Sequence, residues 1–169
     1  MHDKIHIRKA TPNDLADMQR IYCVARQEMK VSGNPSQWGD DWPPPFLIES
    51  YTKKDGFVVV DGGKVVAVFS LTKNADDLSY KTIDGKWLND LAYGAIHTLA
   101  SDGTAKGITK LVLDFCLTEC GNIKVDTHAN NAKMLHILKK ENFTYCGKIN
   151  IVSNEYKGDL ERLAYQKTA

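Results

Sequence analysis

The 169-residue chain lacks a surplus of charge of either sign. Lys and Arg total 22 against 21 Asp and Glu, which gives a formal net charge of +1. A protein that holds a long phosphate backbone needs a field of basic side chains, because much of its affinity comes from counterion release. We therefore expect no extended nucleic-acid binding.

Long apolar runs are missing as well. No stretch of the sequence approaches the roughly 20 apolar residues that a membrane-spanning helix needs. The first ten residues, MHDKIHIRKA, lack the apolar core of about 7–15 residues that is typical of a signal peptide. We therefore expect a cytoplasmic protein with no membrane partner.

Cysteines are few, and their spacing is not that of a disulfide framework. Cys23, Cys116, Cys120 and Cys146 are scattered through apolar-periodic segments, which predicts reduced and mostly buried thiols. Cys116 and Cys120 lie four residues apart, but no C-x-x-C pair or close histidine accompanies them. We expect neither a metal site nor a cysteine nucleophile.

The composition that remains is that of one globular domain. Hydrophobic residues make up 43% of the chain and charged residues 25%, without repeats or low-complexity tracts. This length supports one well-buried core and is short for two. We expect a single domain over residues 1–169, acting as a monomer or a homodimer.

The apolar periodicities predict a mixture of strands and helices. Strands are expected over residues 5–8, 56–61, 64–71, 95–99, 122–127, 145–152 and 160–166, and helices over 15–29, 107–119 and 131–141. Gly62 and Gly63 accept the positive φ of a tight hairpin, and Asn130 is expected to cap the last helix. The strand, helix and strand between residues 95 and 127 predict a right-handed parallel crossover.

Two segments are predicted to be irregular. Residues 32–45, SGNPSQWGDDWPPP, are too rich in Gly, Pro and Asp for a regular element. Residues 72–90, TKNADDLSYKTIDGKWLND, are longer than most connections inside a compact domain, and such loops are often functional. We expect the second loop to cover a site.

A glycine-rich turn joins the predicted strand 95–99 to the next helix. Residues 102–107, DGTAKG, place free backbone N–H groups and the positive end of a helix dipole where they attract an anion. The spacing fits neither G-x-x-x-x-G-K-[ST] nor G-x-G-x-x-G. The turn therefore predicts a nucleotide-phosphate site of another type, unless its glycines serve only the turn itself.

This order of elements resembles the GNAT superfamily of N-acetyltransferases over essentially the whole chain. The family turn is [QR]-x-x-G-x-[GA], and residues 104–109 match it at Gly107, whereas Thr104 and Thr109 replace the other signature residues. The resemblance implies an α/β (α+β) domain with a mixed, largely antiparallel twisted sheet, flanked by helices and containing a β-α-β unit for acetyl-CoA.

The resemblance also implies which residues bind acetyl-CoA as co-substrate. In this family the pyrophosphate is held mainly by backbone N–H groups of the turn, and the pantetheine lies along the preceding strand. The implied cofactor-binding residues are Leu99, Thr104, Ala105, Lys106, Gly107, Ile108, Thr109, Lys110 and Asn131.

A second family block, N-x-x-A-x-x-x-Y-x-K-x-G-F, resembles residues 131–143. Asn131, Lys140 and Phe143 match, but Leu138 stands where many family members have a tyrosine that protonates the departing thiolate. Leucine cannot do so. Tyr145 or a water would have to replace it, or the thiolate leaves unassisted.

The resemblance further implies direct attack of a small-molecule or peptide amine on the thioester, for which a general base is useful. His97 is one candidate, because strand alternation would place it with Tyr93 and Leu99 on one face. In the family, the base often lies on this face four to six residues before the position of Leu99, which favours Tyr93 over His97. His128, just past the next strand, and Asp90, in WLND, are further candidates.

The acceptor is not specified by any motif. Trp38, Trp42 and Tyr51, which lie beside the acidic residues Asp40, Asp41 and Glu49, could form an aromatic and acidic mouth for a cationic amine. The alternative is a solvated loop whose tryptophans pack on the core. Two other functions stay open: a non-catalytic acyl-CoA-binding module, and a turn that binds a different phosphorylated ligand.

Overall fold

The computed structural model describes residues 5–156 and 158–169. The strands are β1 His6–Lys9, β2 Gly56–Asp61, β3 Lys64–Thr72, β4 Asp84–Gly85, β5 Gly94–Ser101, β6 Asn122–Thr127, β7 Thr144–Asn150 and β8 Glu161–Thr168. The helices are α1 Leu15–Val31, α2 Pro45–Tyr51, α3 Ile108–Cys120 and α4 Ala132–Lys140. None of the helices in this described part of the chain is long and apolar enough to cross a membrane.

The eight strands form one sheet in the order β1-β2-β3-β5-β6-β8-β7-β4. Only β5 and β6 pair in parallel, and α3 connects them; the other neighbours are antiparallel. The predicted mixed, largely antiparallel sheet and its parallel crossover are therefore confirmed.

The two faces of the sheet carry separate apolar cores. On one face α1 buries Met18, Ile21 and Tyr22, as its periodicity predicts, against strand residues such as Val58. On the other face α3 and α4 pack on β2 and β3. Each fully buried large side chain contributes about 1.5–3 kcal/mol relative to its exposed state, so both helical layers are needed for stability.

Two local predictions need correction. Helix α2 begins at Pro45, inside the segment predicted to be irregular, because a proline in the first turn needs no N–H partner. Asn131, not Asn130, caps α4, and its Oδ1 accepts a hydrogen bond from the N–H of Met134 at 3.2 Å. The backbone N–H of Asn130 instead donates to His128 Nδ1.

Strands β5 and β6 separate soon after they meet. Their pairing is confined to Gly94 with Ile123 and Ala95 with Lys124. Within the described chain, the edge of β5 that faces β6 has no strand partner from Ile96 onward. Backbone N–H and C=O groups on this free edge must find other partners when buried.

A bulge in β5 accompanies the separation. His97 pairs with Ser70 and Ala100 with Val68, so both Thr98 and Leu99 stand opposite the single residue Phe69. Thr98 has a φ of 51°, which is uncommon for a β-branched residue. Two tyrosines stabilise this conformation: the hydroxyl of Tyr22 donates to Thr98 O, and that of Tyr51 lies 2.8 Å from Thr98 Oγ1.

The bulge overturns one sequence prediction. His97 and Leu99 do not share a face, because the extra residue shifts the alternation. Leu99 packs with the core that contains Ile96, whereas His97 contacts Tyr80 on the opposite face.

Candidate active site

A cavity of about 350 Å³ lies where β5 and β6 diverge. Aromatic rings form much of its wall, and we call it the aromatic cavity. Its lining includes Trp38, Trp42, Tyr51, Asp77, His97, Thr98, Leu99, Asp126, Thr127, Asn131, Met134, Tyr156 and Arg162. Residues from the first loop, the second loop and the elements α2, β5, β6, α4 and β8 therefore meet at one place.

A second cavity of about 350 Å³, the rear cavity, adjoins the first. The two share the lining residues Met29, Leu99, Asn131 and Met134. The rear cavity runs past the free edge of β5 and includes Thr109 in the first turn of α3. The two cavities form successive parts of one cleft, from the start of α3 to the aromatic rings.

His97 is paired with Asp77 in the aromatic cavity. His97 Nε2 lies 2.6 Å from Asp77 Oδ2, and one third of the histidine side chain is exposed. A carboxylate can only accept, so Nε2 carries the proton and Nδ1 is left as the basic nitrogen. Burial lowers the pKa of His97, but the hydrogen bond to Asp77 and the charges of Asp126 and Asp77 outweigh it, so the pKa is raised overall.

Asp77 is itself fixed by the second loop. Its Oδ1 accepts from the N–H of Ser79 at 3.0 Å, and its own N–H donates to the hydroxyl of Tyr93 at 3.1 Å. Burial raises the pKa of Asp77, but the hydrogen bond and charge of His97 and the N–H of Ser79 lower it below its usual value. Asp77 is therefore a charged acceptor that orients the imidazole.

A second carboxylate stands on the β6 side. Asp126 Oδ2 accepts from the hydroxyl of Tyr80 at 2.7 Å, and Oδ1 lies 3.9 Å from Nε of Arg162. Burial raises the pKa of Asp126, although His97, Tyr80 and Arg162 oppose the shift. The ring of Tyr80 packs against His97 with centroids 5.8 Å apart, so both carboxylates act on the same imidazole.

Arg162 is nearly fully buried, and protein atoms accept its hydrogen bonds. Nη1 donates to the carbonyls of Asp159 and Glu161, and Nη2 donates to the carbonyl of Gln37 and the hydroxyl of Tyr156. Its side chain is 3% exposed. The guanidinium thus holds the first loop against β8 and does not offer a free fork to a ligand.

The other predicted base candidates lie outside both cavity linings. Tyr93 holds Asp77, and burial raises its pKa. His128 is bonded at both ring nitrogens, to Asp159 Oδ2 at 3.1 Å and to the N–H of Asn130. Asp90 is exposed in its loop. The structure brings only His97 of the four into the cleft.

The glycine turn has the backbone conformation that an anion site needs. Gly103 and Gly107 have φ values of 78° and 73°, and Gly107 leads into α3 without any side chain capping it. The first N–H groups of the helix are therefore available. Leu99, Thr109 and Asn131 line the rear cavity, whereas Ile108 is buried and Ala105 packs on the core.

Polar side chains of the turn are less available than its backbone. Thr104 Oγ1 and its N–H both donate to Asp102 Oδ1. Lys110 Nζ lies 2.8 Å from Asp114 Oδ2 and 3.3 Å from Glu141 Oε2. Lys106 is exposed. Of the residues that could add a charge to the turn, only Lys106 has no ion pair in the described structure.

The structure removes one candidate for the thiolate's proton donor. Leu138 is fully buried in the core, and Tyr145 packs on Tyr165 beside a different groove. Tyr145 lines neither cavity. By contrast, Thr127 lines the aromatic cavity, and its buried hydroxyl has no hydrogen-bond partner in the described chain.

Of the predicted aromatic and acidic mouth, the aromatic cavity contains the aromatic residues but not the acidic ones. Trp38, Trp42 and Tyr51 all line the aromatic cavity, and Trp38 and Tyr51 also pack in the core. The acidic residues predicted with them do not line it: Asp40 and Asp41 line a separate pocket beside Trp38 and Trp42, and Glu49 is exposed. The carboxylates inside are instead those of Asp77 and Asp126.

Thiols and metals contribute little to the site. All four cysteines are free; Cys116 and Cys146 are buried as predicted, but Cys120 is partly exposed and Cys23 is exposed. Burial raises the pKa of the Cys116 thiol well above its usual value, so it is a poor nucleophile. Among the residues that the structure describes, no group of three His, Cys, Asp or Glu side chains is placed to hold a metal ion.

Known structures share this architecture. A GNAT-family acetyltransferase from Streptococcus agalactiae is 26% identical, with a TM-score of 0.83, over 100% of this chain and 98% of that one. The chain has the GNAT fold. No protein-family model and no curated protein sequence matches it.

More distant GNAT structures agree on the fold alone. One from Listeria monocytogenes is 17% identical, with a TM-score of 0.68, over 98% of this chain and 95% of that one. A phosphinothricin acetyltransferase from Sinorhizobium meliloti, solved with acetyl-CoA, is 13% identical, with a TM-score of 0.64, over 98% of this chain and 89% of that one. The resemblance seen in the sequence is thus confirmed.

Several groups of this candidate site are not marked individually by any sequence pattern: Gln37, Asp77, Tyr80, Asp126, Tyr156 and Arg162. One signal did exist, because the long loop at residues 72–90 was expected to cover a site, and it supplies Asp77. Nothing in the local sequence marks Arg162, and one of its hydrogen-bond partners, Gln37, lies 125 residues away.

Proposed function

We propose that the protein is an acetyl-CoA-dependent N-acetyltransferase that transfers the acetyl group to a primary amine by direct attack in a ternary complex. One observation carries this proposal: the free edge of β5 leads from the start of α3 directly to the His97–Asp77 pair. The acetyl-CoA bound to the S. meliloti neighbour supports the choice of co-substrate.

The rear cavity and the glycine turn suit the co-substrate. The uncapped N–H groups after Gly107 would receive the pyrophosphate. The unpaired edge of β5 at Leu99 and beyond would hydrogen-bond the amides of the pantetheine arm, as an added strand does. Asn131 and Met134 border both cavities and would flank the thioester, which supplies the activated acetyl group.

His97 would act as the general base. An aliphatic amine is an ammonium ion at neutral pH and must lose a proton before its nitrogen can attack. Asp77 keeps the proton of His97 on Nε2, so Nδ1 takes the proton from the amine. Asp77 and Asp126 stabilise the imidazolium that forms. Of the two protons that the nitrogen loses, one leaves through His97 and the other ends on the CoA sulfur.

A water molecule would relay this second proton to the departing sulfur. Neither Leu138 nor Tyr145 is placed to deliver it. A thiol has a pKa of about 8.5, so its thiolate leaves without a strong acid. Thr127 lines the same cavity, and rotation of its side chain would let its unpartnered hydroxyl donate a hydrogen bond to the bound reactants.

Turnover tests this proposal. The purified protein is incubated with acetyl-CoA and a panel of amines and peptides, and release of free thiol is followed beside calorimetric titration with CoA. We expect CoA to bind and thiol release to depend on an amine. Binding without any turnover would favour the non-catalytic acyl-CoA module, and no CoA binding would exclude both functions.

A further inference from the structure

Resting on the proposed N-acetyltransferase activity, we propose a class of acceptor. The geometry points to a small primary amine with an apolar or aromatic body and without a carboxylate or phosphate group. The charges, the walls and the size of the aromatic cavity all favour this class of acceptor.

The lining of the cavity offers no free Lys or Arg side chain to an acidic substrate. Asp77 and Asp126 contribute two carboxylates, and Arg162 is the one Lys or Arg side chain among the described lining residues. Four protein oxygens already accept the Nη hydrogens of Arg162, and its Nε faces Asp126. An acid group on the acceptor would be buried beside like charges without a partner.

Lys124 does not change this balance. Its ammonium lies over the rings of Trp87 and Tyr93, 4.1 Å and 4.0 Å from their centroids. The residue is 5% exposed and lies outside the cavity lining. Its charge therefore interacts with two aromatic rings outside the cavity and is not available to an acceptor.

The walls suit an ammonium group with an apolar body. Trp42 packs edge-on against Tyr156, with centroids 5.2 Å apart, and Trp38 and Tyr51 complete the aromatic side. Ring faces attract a cation while they shield an apolar body from water. Met29, Leu47 and Ile151 extend the apolar surface.

The size of the cavity favours a small molecule over a peptide. Its volume of about 350 Å³ lies near the lower end of the roughly 300–1,000 Å³ that small-molecule pockets span. A phenethylamine-sized body fits this volume with its amine toward His97.

Matched substrates test the inference with the wild-type protein. Thiol release is measured for phenethylamine against phenylalanine, and for tryptamine against tryptophan, with phenylalaninol as a control for the size of the added group. We expect kcat/KM to be at least about 100-fold higher for each amine than for its amino acid, because the carboxylate would be buried unpaired. Phenylalaninol should fall much closer to phenethylamine.

A variant that adds a cation at the cavity rim should reduce the difference in kcat/KM between phenethylamine and phenylalanine. Val152 is 59% exposed at the cavity rim, and we expect Val152→Arg to reduce the phenethylamine preference about tenfold. Leu160→Arg, at a residue 46% exposed and outside both cavities, is the matched control and should leave the ratio unchanged.

The results separate the two proposals. Turnover of phenylalanine equal to that of phenethylamine, or turnover of peptides alone, would overturn the acceptor class and leave the acetyltransferase proposal standing. Absence of turnover with every amine, amino acid and peptide would overturn both.

Discussion

The two halves of the cleft are built in different ways. The rear half presents backbone: the turn at residues 102–107, the start of α3 and the free edge of β5. The aromatic half presents side chains brought from residues as distant as Gln37 and Arg162. A backbone site tolerates the loss of signature side chains, such as Thr104 in place of Gln or Arg, whereas a side-chain site depends on each member. Substitutions in the two halves should therefore have unequal effects.

The largest effect should come from the side-chain half. We expect His97→Gln to lower kcat/KM by about 10²–10⁴-fold, the range for loss of general-base help, with CoA affinity kept. Steady-state kinetics and calorimetry measure the two quantities. His136→Gln, at an exposed histidine beside a different groove, is the control. A normal rate for His97→Gln would show that His97 is not the base and would leave Tyr93, Asp90 and His128 as candidates.

In the rear half, CoA binding should be lost only when a substitution strains the backbone or adds a bulky side chain. We expect Gly107→Val to weaken CoA binding by about 10–100-fold, because a β-branched residue at a φ of 73° is strained and its side chain obstructs the phosphates. Gly62→Val carries similar strain at a φ of 57° in the distant hairpin. Equal losses of CoA affinity in both variants, measured by calorimetry, would show that only stability had changed.

Substitution of Thr127 should raise the stability of the protein but lower its activity. Thr127→Val removes a buried hydroxyl without a partner, so we expect the free energy of unfolding to rise by about 1 kcal/mol. The lost hydrogen bond to bound reactants should lower kcat/KM by about 3–10-fold. Urea unfolding and kinetics test this beside Thr144→Val, an exposed control. A stabilised variant with full activity would remove Thr127 from the site.

Charge at the turn should matter least. We expect Lys106→Ala to weaken CoA binding by less than about 5-fold, since an exposed lysine makes a screened contact. Titration at low and high salt measures the effect, which should shrink as salt rises. A loss as large as that of Gly107→Val would mean that side chains, not backbone, hold the phosphates.

The same contrast explains what the sequence could predict. Periodicity located most strands and helices, because burial on one face imposes it. The turn at Gly103 and Gly107 was recognisable, since both glycines adopt positive φ as strand-to-helix turns require. The bulge at Thr98 was not, because tertiary bonds from Tyr22 and Tyr51 hold a conformation that threonine itself disfavours.

The chemistry of the site was harder to predict than its location. His97 was recognisable as a candidate base, but its partner Asp77 lies 20 residues away in an irregular loop, and Asp126 is on another strand. No local pattern records that three such segments converge. The acids Asp40, Asp41 and Glu49 looked suitable because of their neighbours in sequence, yet the fold directs them away from the cavity.

The pH dependence of kcat/KM in the wild type and in Asp77→Asn tests the central claim most directly. In the proposed mechanism neutral His97 is the active form, so activity should fall as pH drops through its pKa. Burial lowers this pKa, but hydrogen bonding to Asp77 and the charges of Asp126 and Asp77 raise it overall. We predict a wild-type acid limb above the ordinary value of about 6.5. Asparagine can still accept from Nε2 but carries no charge, so the limb should move to lower pH while CoA affinity holds. An acid limb in the same place in both proteins would contradict the account.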